Sequence, residues 1–130
     1  MTGRLRLLLV EDNEATREGL AALLRGEGYQ VVTAVEGKQA LDRLLSGPRP
    51  DLILLDLSMP VMDGWEFRAR QRQSPALASI PVVLLSGEGD LPRIAASLGV
   101  AGHCPKPVRP DGLLRAIRDL GGGRASGLAG

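Results

Sequence analysis

The feature of this 130-residue sequence that most constrains its fold is an alternation, repeated five times, of a short apolar run and a longer amphipathic stretch. The runs predict strands at Leu5–Val10, Gln30–Ala34, Leu52–Asp56, Pro81–Ser86 and Gly102–Cys104. The stretches predict helices at Glu14–Arg25, Gly37–Ser46, Gly64–Gln73, Leu91–Leu98 and Pro110–Leu120. Strands that alternate with helices predict an α/β fold, with a parallel sheet and right-handed crossovers.

The helix signals agree with these bounds. Asn13 is a good N-cap for the first helix, and Gly26 and Gly28 are typical of its end. Apolar residues at helical spacing predict which side of the second helix packs inward. They are Ala40, Leu41, Leu44 and Leu45.

The first, third and fourth strands are apolar on both faces, which is typical of parallel strands covered by helices. In a doubly wound sheet, ligands bind at the carboxyl ends of the strands. Chemically active residues are therefore expected among those that follow each strand.

Composition excludes several classes. A net charge of +1 produces no field that would attract nucleic acid or an anionic membrane, and a single Cys excludes a disulfide framework. No apolar run approaches the roughly 20 residues of a membrane span, and the N-terminal run has no cleavage site typical of a signal peptide. We expect one cytoplasmic domain over residues 1–120, followed by a flexible Gly-rich tail over 121–130.

Chemically competent side chains follow four of the five strands. Glu11 and Asp12 follow the first, Asp56 ends the third, Ser86 ends the fourth, and Lys106 follows the fifth. Each alone would be an ordinary cap, turn or surface residue, but in a parallel sheet all would meet at one edge. Three neighbouring carboxylates repel one another, and a hard cation such as Mg²⁺ relieves that repulsion.

Four segments in this order, VEDN, LILLDLSMPVMDG, VVLLSG and CPKP, resemble bacterial response-regulator receiver domains. The resemblance covers about residues 5–120. It implies a flavodoxin-like (βα)5 fold with strand order 2-1-3-4-5.

The resemblance also implies a Mg²⁺ site. Glu11 and Asp12 match the acidic metal-binding pair, with Asp12 the more direct ligand and Glu11 acting largely through water. Asp56 matches the phosphoacceptor, and the backbone carbonyl of Ser58 would complete the metal shell. Pro60 and Gly64 match the turn that leads into the third helix.

Two further residues would act on the phosphoryl group. Ser86 matches the hydroxyl that follows it, and Lys106 matches the family lysine, whose bond to Pro107 is often cis in relatives. The implied reaction is transfer from a phosphohistidine of a histidine kinase or phosphotransfer protein to Asp56. Phosphorylation would switch the face formed by the fourth helix, fifth strand and fifth helix, which controls a downstream protein.

The implied protein is a switch that acts only on itself, not a metabolic enzyme. It would be a monomer or weak dimer, without nucleic-acid or membrane partners of its own. His103 departs from the family pattern, because it stands where relatives carry Tyr or Phe, and it could make the switch sensitive to pH. Glu88, near the site, either tunes access of water or is simply solvated.

Three alternative classes share parts of this pattern. A phosphatase resembling the haloacid dehalogenase superfamily would need a second Asp where Ser58 stands. A nucleotide-binding domain would need a Gly-rich loop after the first strand, where the sequence instead reads EDNEA. A degenerate receiver that is never phosphorylated is disfavoured, because all five chemical positions are filled.

Overall fold

The computed structural model of the chain describes residues 5–59, 61–87 and 89–122, with side chains described up to residue 120. The predictions for Pro60, for Glu88 and for the tail from residue 123 onward lie outside the described residues.

Five parallel strands form one sheet in the order β2-β1-β3-β4-β5, which confirms the predicted α/β topology. The strands are β1 Arg6–Val10, β2 Gln30–Ala34, β3 Leu52–Asp56, β4 Val82–Ser86 and β5 Gly102–Pro105. In the middle of the sheet, Leu9 lies opposite Thr33 on one side and Leu54 on the other. Every residue of β3 and β4 is buried, as expected for strands that are covered on both faces.

Six α-helices surround the sheet in the described part of the chain. They are α1 Glu14–Gly26, α2 Gly37–Ser46, α3 Gly64–Gln73, α4 Pro75–Ala78, α5 Leu91–Leu98 and α6 Pro110–Ile117. The four-residue α4, which begins with a proline at its first turn, was not predicted. The other five lie where the apolar spacing placed them.

Alternate residues of β1 point into two different cores. Leu8 and Val10 pack with α2, α3, α4 and α5 on one face of the sheet. Leu7 and Leu9 pack with α1 and α6 on the other. The molecule therefore has three layers, and the carboxyl ends of the strands lie at one edge of the middle layer.

Two helix predictions need correction. Leu45 of α2 is 74 % exposed, although the sequence predicted that it packs inward. The buried face of α2 is therefore narrower than predicted, and Ala40 and Leu44 are its buried residues. The last α-helix ends at Ile117 and continues as a π-helical turn, Arg118–Gly122, instead of reaching Leu120 in α-helical form. The turn ends in glycines, which hold helical geometry poorly, and Leu120 still packs against the core.

A buried polar bridge links α3 to the end of α5. Arg68 donates from Nε to the carbonyl of Leu98 at 2.9 Å and from Nη2 to that of Gly99 at 2.6 Å. Its Nη1 donates to Gln71 at 2.8 Å. Burial lowers the pKa of Arg68, and the positive charge of Arg72 lowers it further.

Among the helices of the described chain, none has the length and apolar character that a membrane span requires.

Candidate functional site

The residues at the strand ends meet in one open pocket of about 380 Å³. Glu11 and Asp12 follow β1, Asp56 and Ser86 are the last residues of β3 and β4, and Lys106 follows β5. The pocket is lined by Glu11, Asp12, Asn13, Asp56, Ser58, Ser86, Gly87 and Lys106. All six residues predicted to form a site therefore line it.

Three carboxylates form a tight cluster in this pocket. One oxygen from each of Glu11, Asp12 and Asp56 lies within 4.8 Å of the others. Glu11 and Asp56 are buried, at 1 % and 3 % exposed, whereas Asp12 is exposed to solvent. Such a donor set suits a hard divalent cation that keeps several waters.

Lys106 contacts two of the three carboxylates of the cluster. Its Nζ donates to Oε1 of Glu11 at 2.8 Å and lies 3.1 Å from Oδ1 of Asp56. The backbone N–H of Lys106 donates to the carbonyl of Ser86 at 2.9 Å, which ties the end of β5 to the end of β4. The peptide bond between Lys106 and Pro107 is cis, as the resemblance implied.

The surroundings of Asp56 raise the pKa of its carboxyl group. Burial, and after it the negative charge of Glu11, raises the pKa of Asp56 to about 6, although the contacts with Lys106 act in the opposite direction. One ammonium does not compensate three carboxylates. A divalent cation among them would favour the ionised form of Asp56, so the residues present fit a Mg²⁺ ion.

Hydrogen bonds hold the acidic loop after β1 in place. Asn13 donates its backbone N–H to Oε2 of Glu11 at 3.1 Å, and its side chain accepts from the N–H of Thr16 at 2.9 Å, which confirms it as the N-cap of α1. Arg17 donates from Nη1 to the carbonyls of Glu11 at 3.0 Å and Asp12 at 3.3 Å. Sequence reasoning missed Arg17. No sequence pattern points to it, because its partners are backbone carbonyls.

The loop between β3 and α3 is also closely packed. Gly64 donates its N–H to the carbonyl of Leu57 at 2.9 Å, and a Cβ on Gly64 would lie 2.7 Å from the carbonyl oxygen of Asp56. Only glycine fits this approach. Val61 has a φ of +68° and is 81 % exposed, an uncommon conformation for a β-branched residue.

His103 is exposed on β5 and does not line the pocket of the acidic cluster. It lines a groove along α6, together with Arg109, Arg115 and Asp119, and Lys106 lines both this groove and the acidic pocket. Its proposed part in a pH-sensitive switch stays a prediction.

This fold and site define a class of protein, a parallel α/β domain with an acidic cluster and a lysine at the carboxyl edge of its sheet. Solved structures of that class superpose closely. A putative response regulator from Chloroflexus aurantiacus has a TM-score of 0.83 at 31 % identity, over 90 % of this chain and 97 % of that one. The chemotaxis protein CheY4 of Vibrio cholerae has a TM-score of 0.83 at 29 % identity, over 91 % and 99 %.

Residues 7–118 match the family of the response regulator receiver domain. The two-component response regulator ORR11 of Oryza sativa is 36 % identical over 84 % of this chain and 76 % of its own length. The response regulator MprA of Mycolicibacterium vanbaalenii is 37 % identical over 88 % of this chain, which spans about half of that protein (49 %).

The chain belongs to the response regulator receiver domain family. Domains of this family bind Mg²⁺ through acidic residues, act as phosphoacceptor switches in two-component systems, and interact with histidine kinases or phosphotransfer proteins and with downstream effectors. This family assignment argues against the haloacid dehalogenase-like and nucleotide-binding alternatives.

Proposed function

We propose that this receiver domain accepts a phosphoryl group on Asp56 and uses Mg²⁺ to do so. The observation that carries the proposal is the placement of Asp56. It is buried at the end of β3, its carboxylate is 3.1 Å from the ammonium of Lys106, and it shares a cluster with Glu11 and Asp12. A nucleophile in this position lines the open pocket, and a bound cation together with Lys106 would compensate its charge.

The metal would be held by the carboxylates of Asp12 and Asp56, by the carbonyl of Ser58, and by Glu11 largely through water. When bound, Mg²⁺ would supply positive charge that offsets the negative charge of the phosphoryl oxygens. The close carboxylate cluster supports this assignment because it concentrates negative charge here, and the charge of Glu11 adds to burial in raising the pKa of Asp56.

The reaction transfers one phosphoryl group from nitrogen to oxygen. A carboxylate oxygen of Asp56 attacks the phosphorus of a phosphohistidine on a kinase or phosphotransfer protein. The N–P bond breaks, its electrons stay on the imidazole, which takes up a proton, and an acyl phosphate forms. Water later attacks the same phosphorus and releases inorganic phosphate, which restores the carboxylate.

Lys106 and Ser86 hold the phosphoryl oxygens in this proposal. The ammonium of Lys106 already lies within contact distance of Asp56, and Ser86 ends the neighbouring strand, buried in the same pocket. Charge-assisted hydrogen bonds of this kind stabilise charge that develops during transfer.

The switch would begin at Ser86. A phosphoryl group adds about −1.5 to −2 charge and three acceptor oxygens, which attract the Ser86 hydroxyl. The N–H of Lys106 donates a hydrogen bond to the carbonyl of Ser86, so a movement at the end of β4 would also move the end of β5. The face built from α5, β5 and α6, which corresponds to the fourth predicted helix, fifth strand and fifth helix, would then shift between two states and control a protein partner in the cytoplasm.

The test is phosphorylation by a small-molecule donor. The protein is incubated with acetyl phosphate and MgCl₂, and its mass is measured intact. We expect one phosphoryl group on the wild type, none on D56N, and none with EDTA. D63N, which alters an aspartate outside the pocket lining, serves as the matched control and should accept the group. A wild type that stays unmodified under these conditions would overturn the proposal.

A further inference from the structure

Arg17 reaches the acidic loop from the first turns of α1. Its Nη1 donates to two consecutive backbone carbonyls, those of Glu11 at 3.0 Å and Asp12 at 3.3 Å. Its side chain is 13 % exposed, so most of it is withdrawn from solvent. Its ion-pair contact with Glu18, at 4.0 Å, is long and involves an exposed carboxylate, so it contributes little.

These two carbonyls belong to the residues whose side chains form the acidic pair. Fixing both carbonyls limits the rotation of the backbone at Glu11 and Asp12, and thereby limits where their carboxylates point. The loop is also anchored at Asn13, which caps α1 and donates to Glu11. Arg17 thus attaches the acidic pair to a rigid helix.

Arg17 itself does not line the pocket. Its hydrogen bonds within the described part of the chain go to the loop carbonyls and not to Asp56 or Lys106, so it would act only through the loop. Groups that orient metal ligands from outside the coordination sphere commonly matter as much as a ligand, because a loosely held carboxylate must be ordered at the moment of binding.

We propose that Arg17 is a positioning residue for the Mg²⁺ site, holding Glu11 and Asp12 in the arrangement that binds the ion. The inference rests on the proposed function, which places Mg²⁺ among these carboxylates. It assigns a role to a residue outside the pocket.

A positioning role and a purely electrostatic role of Arg17 predict opposite changes in the affinity for Mg²⁺ when Arg17 is replaced. Arg17 is a cation close to a cation site, so its charge repels Mg²⁺. If charge were its only effect, replacing it by a neutral residue would tighten Mg²⁺ binding. A positioning role predicts weaker binding after the same replacement, in spite of the repulsion removed.

The experiment compares R17Q, R17K and wild type. MgCl₂ is titrated into each protein at constant ionic strength, and the Kd is read from amide shifts in two-dimensional NMR spectra. The matched control is R25Q on the same helix, since Arg25 donates to a backbone carbonyl, that of Val31, at 2.9 Å, outside the acidic loop. Free energies of unfolding in EDTA are measured for all four proteins.

We expect R17Q to raise the Mg²⁺ Kd about 10-fold. R17K keeps the charge on a shorter side chain and should fall between R17Q and wild type, while R25Q keeps the wild-type Kd even if it loses stability. An R17Q protein that binds Mg²⁺ as tightly as wild type, or more tightly, overturns the inference. If R17Q does not fold, R17K decides, and a wild-type Kd for it overturns the inference.

The measurements distinguish failure of the proposed function from failure of the role proposed for Arg17. A wild type that binds no Mg²⁺ would overturn both. A wild type that binds Mg²⁺ and is phosphorylated, with R17Q unchanged, would overturn only the role of Arg17.

Discussion

The ammonium of Lys106 lies 2.8 Å from a carboxylate oxygen of Glu11, a residue 95 positions away along the chain. β1 and β5 are not neighbours in the sheet, so this contact spans the ends of β3 and β4. Glu11 is 1 % exposed, and so its charge depends on Lys106 for compensation.

Replacing Lys106 should therefore destabilise the metal-free protein. K106Q leaves the carboxylates of Glu11 and Asp56 without their ammonium. We expect a loss of about 1–3 kcal/mol in the free energy of unfolding, below the roughly 3–5 kcal/mol typical of breaking a fully buried pair, because the Lys106 side chain is 27 % exposed. Urea unfolding in EDTA measures it.

K38Q is the control for K106Q, because Lys38 is the other lysine of the chain and is exposed on α2. K38Q should change stability by less than about 0.5 kcal/mol. Equal stability of K106Q and wild type in EDTA would show that the Lys106 contacts contribute nothing.

Neutralising Asp56 should have the opposite effect on stability. The folded-state pKa of Asp56, about 6, lies above its ordinary value of 3.8, so the folded protein binds more protons than the unfolded chain between these values. Its stability then falls as pH rises from about 4 to 6. D56N should remove this loss and stabilise the metal-free protein at pH 7 by on the order of 2 kcal/mol.

Thermal unfolding in EDTA from pH 4 to pH 8 tests this prediction. The difference between D56N and wild type should grow through the window and level off above it, and Mg²⁺ should reduce it by stabilising the wild type. D42N, at an exposed position on α2, controls for loss of a negative charge. A D56N protein less stable than wild type at pH 7 would contradict the burial argument.

Gly64 should not tolerate a side chain. The Cβ of G64A would lie 2.7 Å from the carbonyl oxygen of Asp56 and 2.8 Å from the Cα of Leu57, and both neighbours are backbone atoms that cannot rotate away. The backbone must therefore shift at Asp56 itself, the residue that we propose as the phosphoacceptor. We expect a loss of about 1–3 kcal/mol in stability and slower phosphorylation by acetyl phosphate.

G19A is the matched control for G64A. Gly19 lies inside α1, and a Cβ at this position would have nothing within 4 Å, so alanine should stabilise the protein by about 0.5–1 kcal/mol through better helix propensity. Phosphorylation of G19A should match that of wild type. If G64A and G19A have the same stability and the same rate of phosphorylation, the close approach of Gly64 to Asp56 does not affect function.

The protein should become more stable when Val61 is replaced by a residue that adopts a positive φ more readily. With φ at +68° and 81 % of the side chain exposed, the valine is strained and gains little from burial. V61N should raise stability by about 1 kcal/mol, since asparagine adopts this region more readily. V35N, at another exposed valine without positive φ, should bring no such gain in a melting experiment.

The sequence by itself determined the number, type and order of the main elements, because alternating apolar periodicity reflects which faces each element must bury. It also placed Glu11, Asp12, Asp56, Ser86 and Lys106 at strand ends, and parallel topology brings such ends to one edge. Local capping at Asn13 followed from the short-range chemistry of helix starts.

Only the tertiary structure decided what depends on neighbours distant in the chain. Leu45 is exposed although its helix is amphipathic, while the polar pair Arg68 and Gln71 is buried because the end of α5 offers carbonyls to Arg68. Arg17 belongs to the same group, since its partners are backbone atoms that carry no signature in the sequence. Burial and orientation are properties of the assembled layers, and no pattern within one element specifies them.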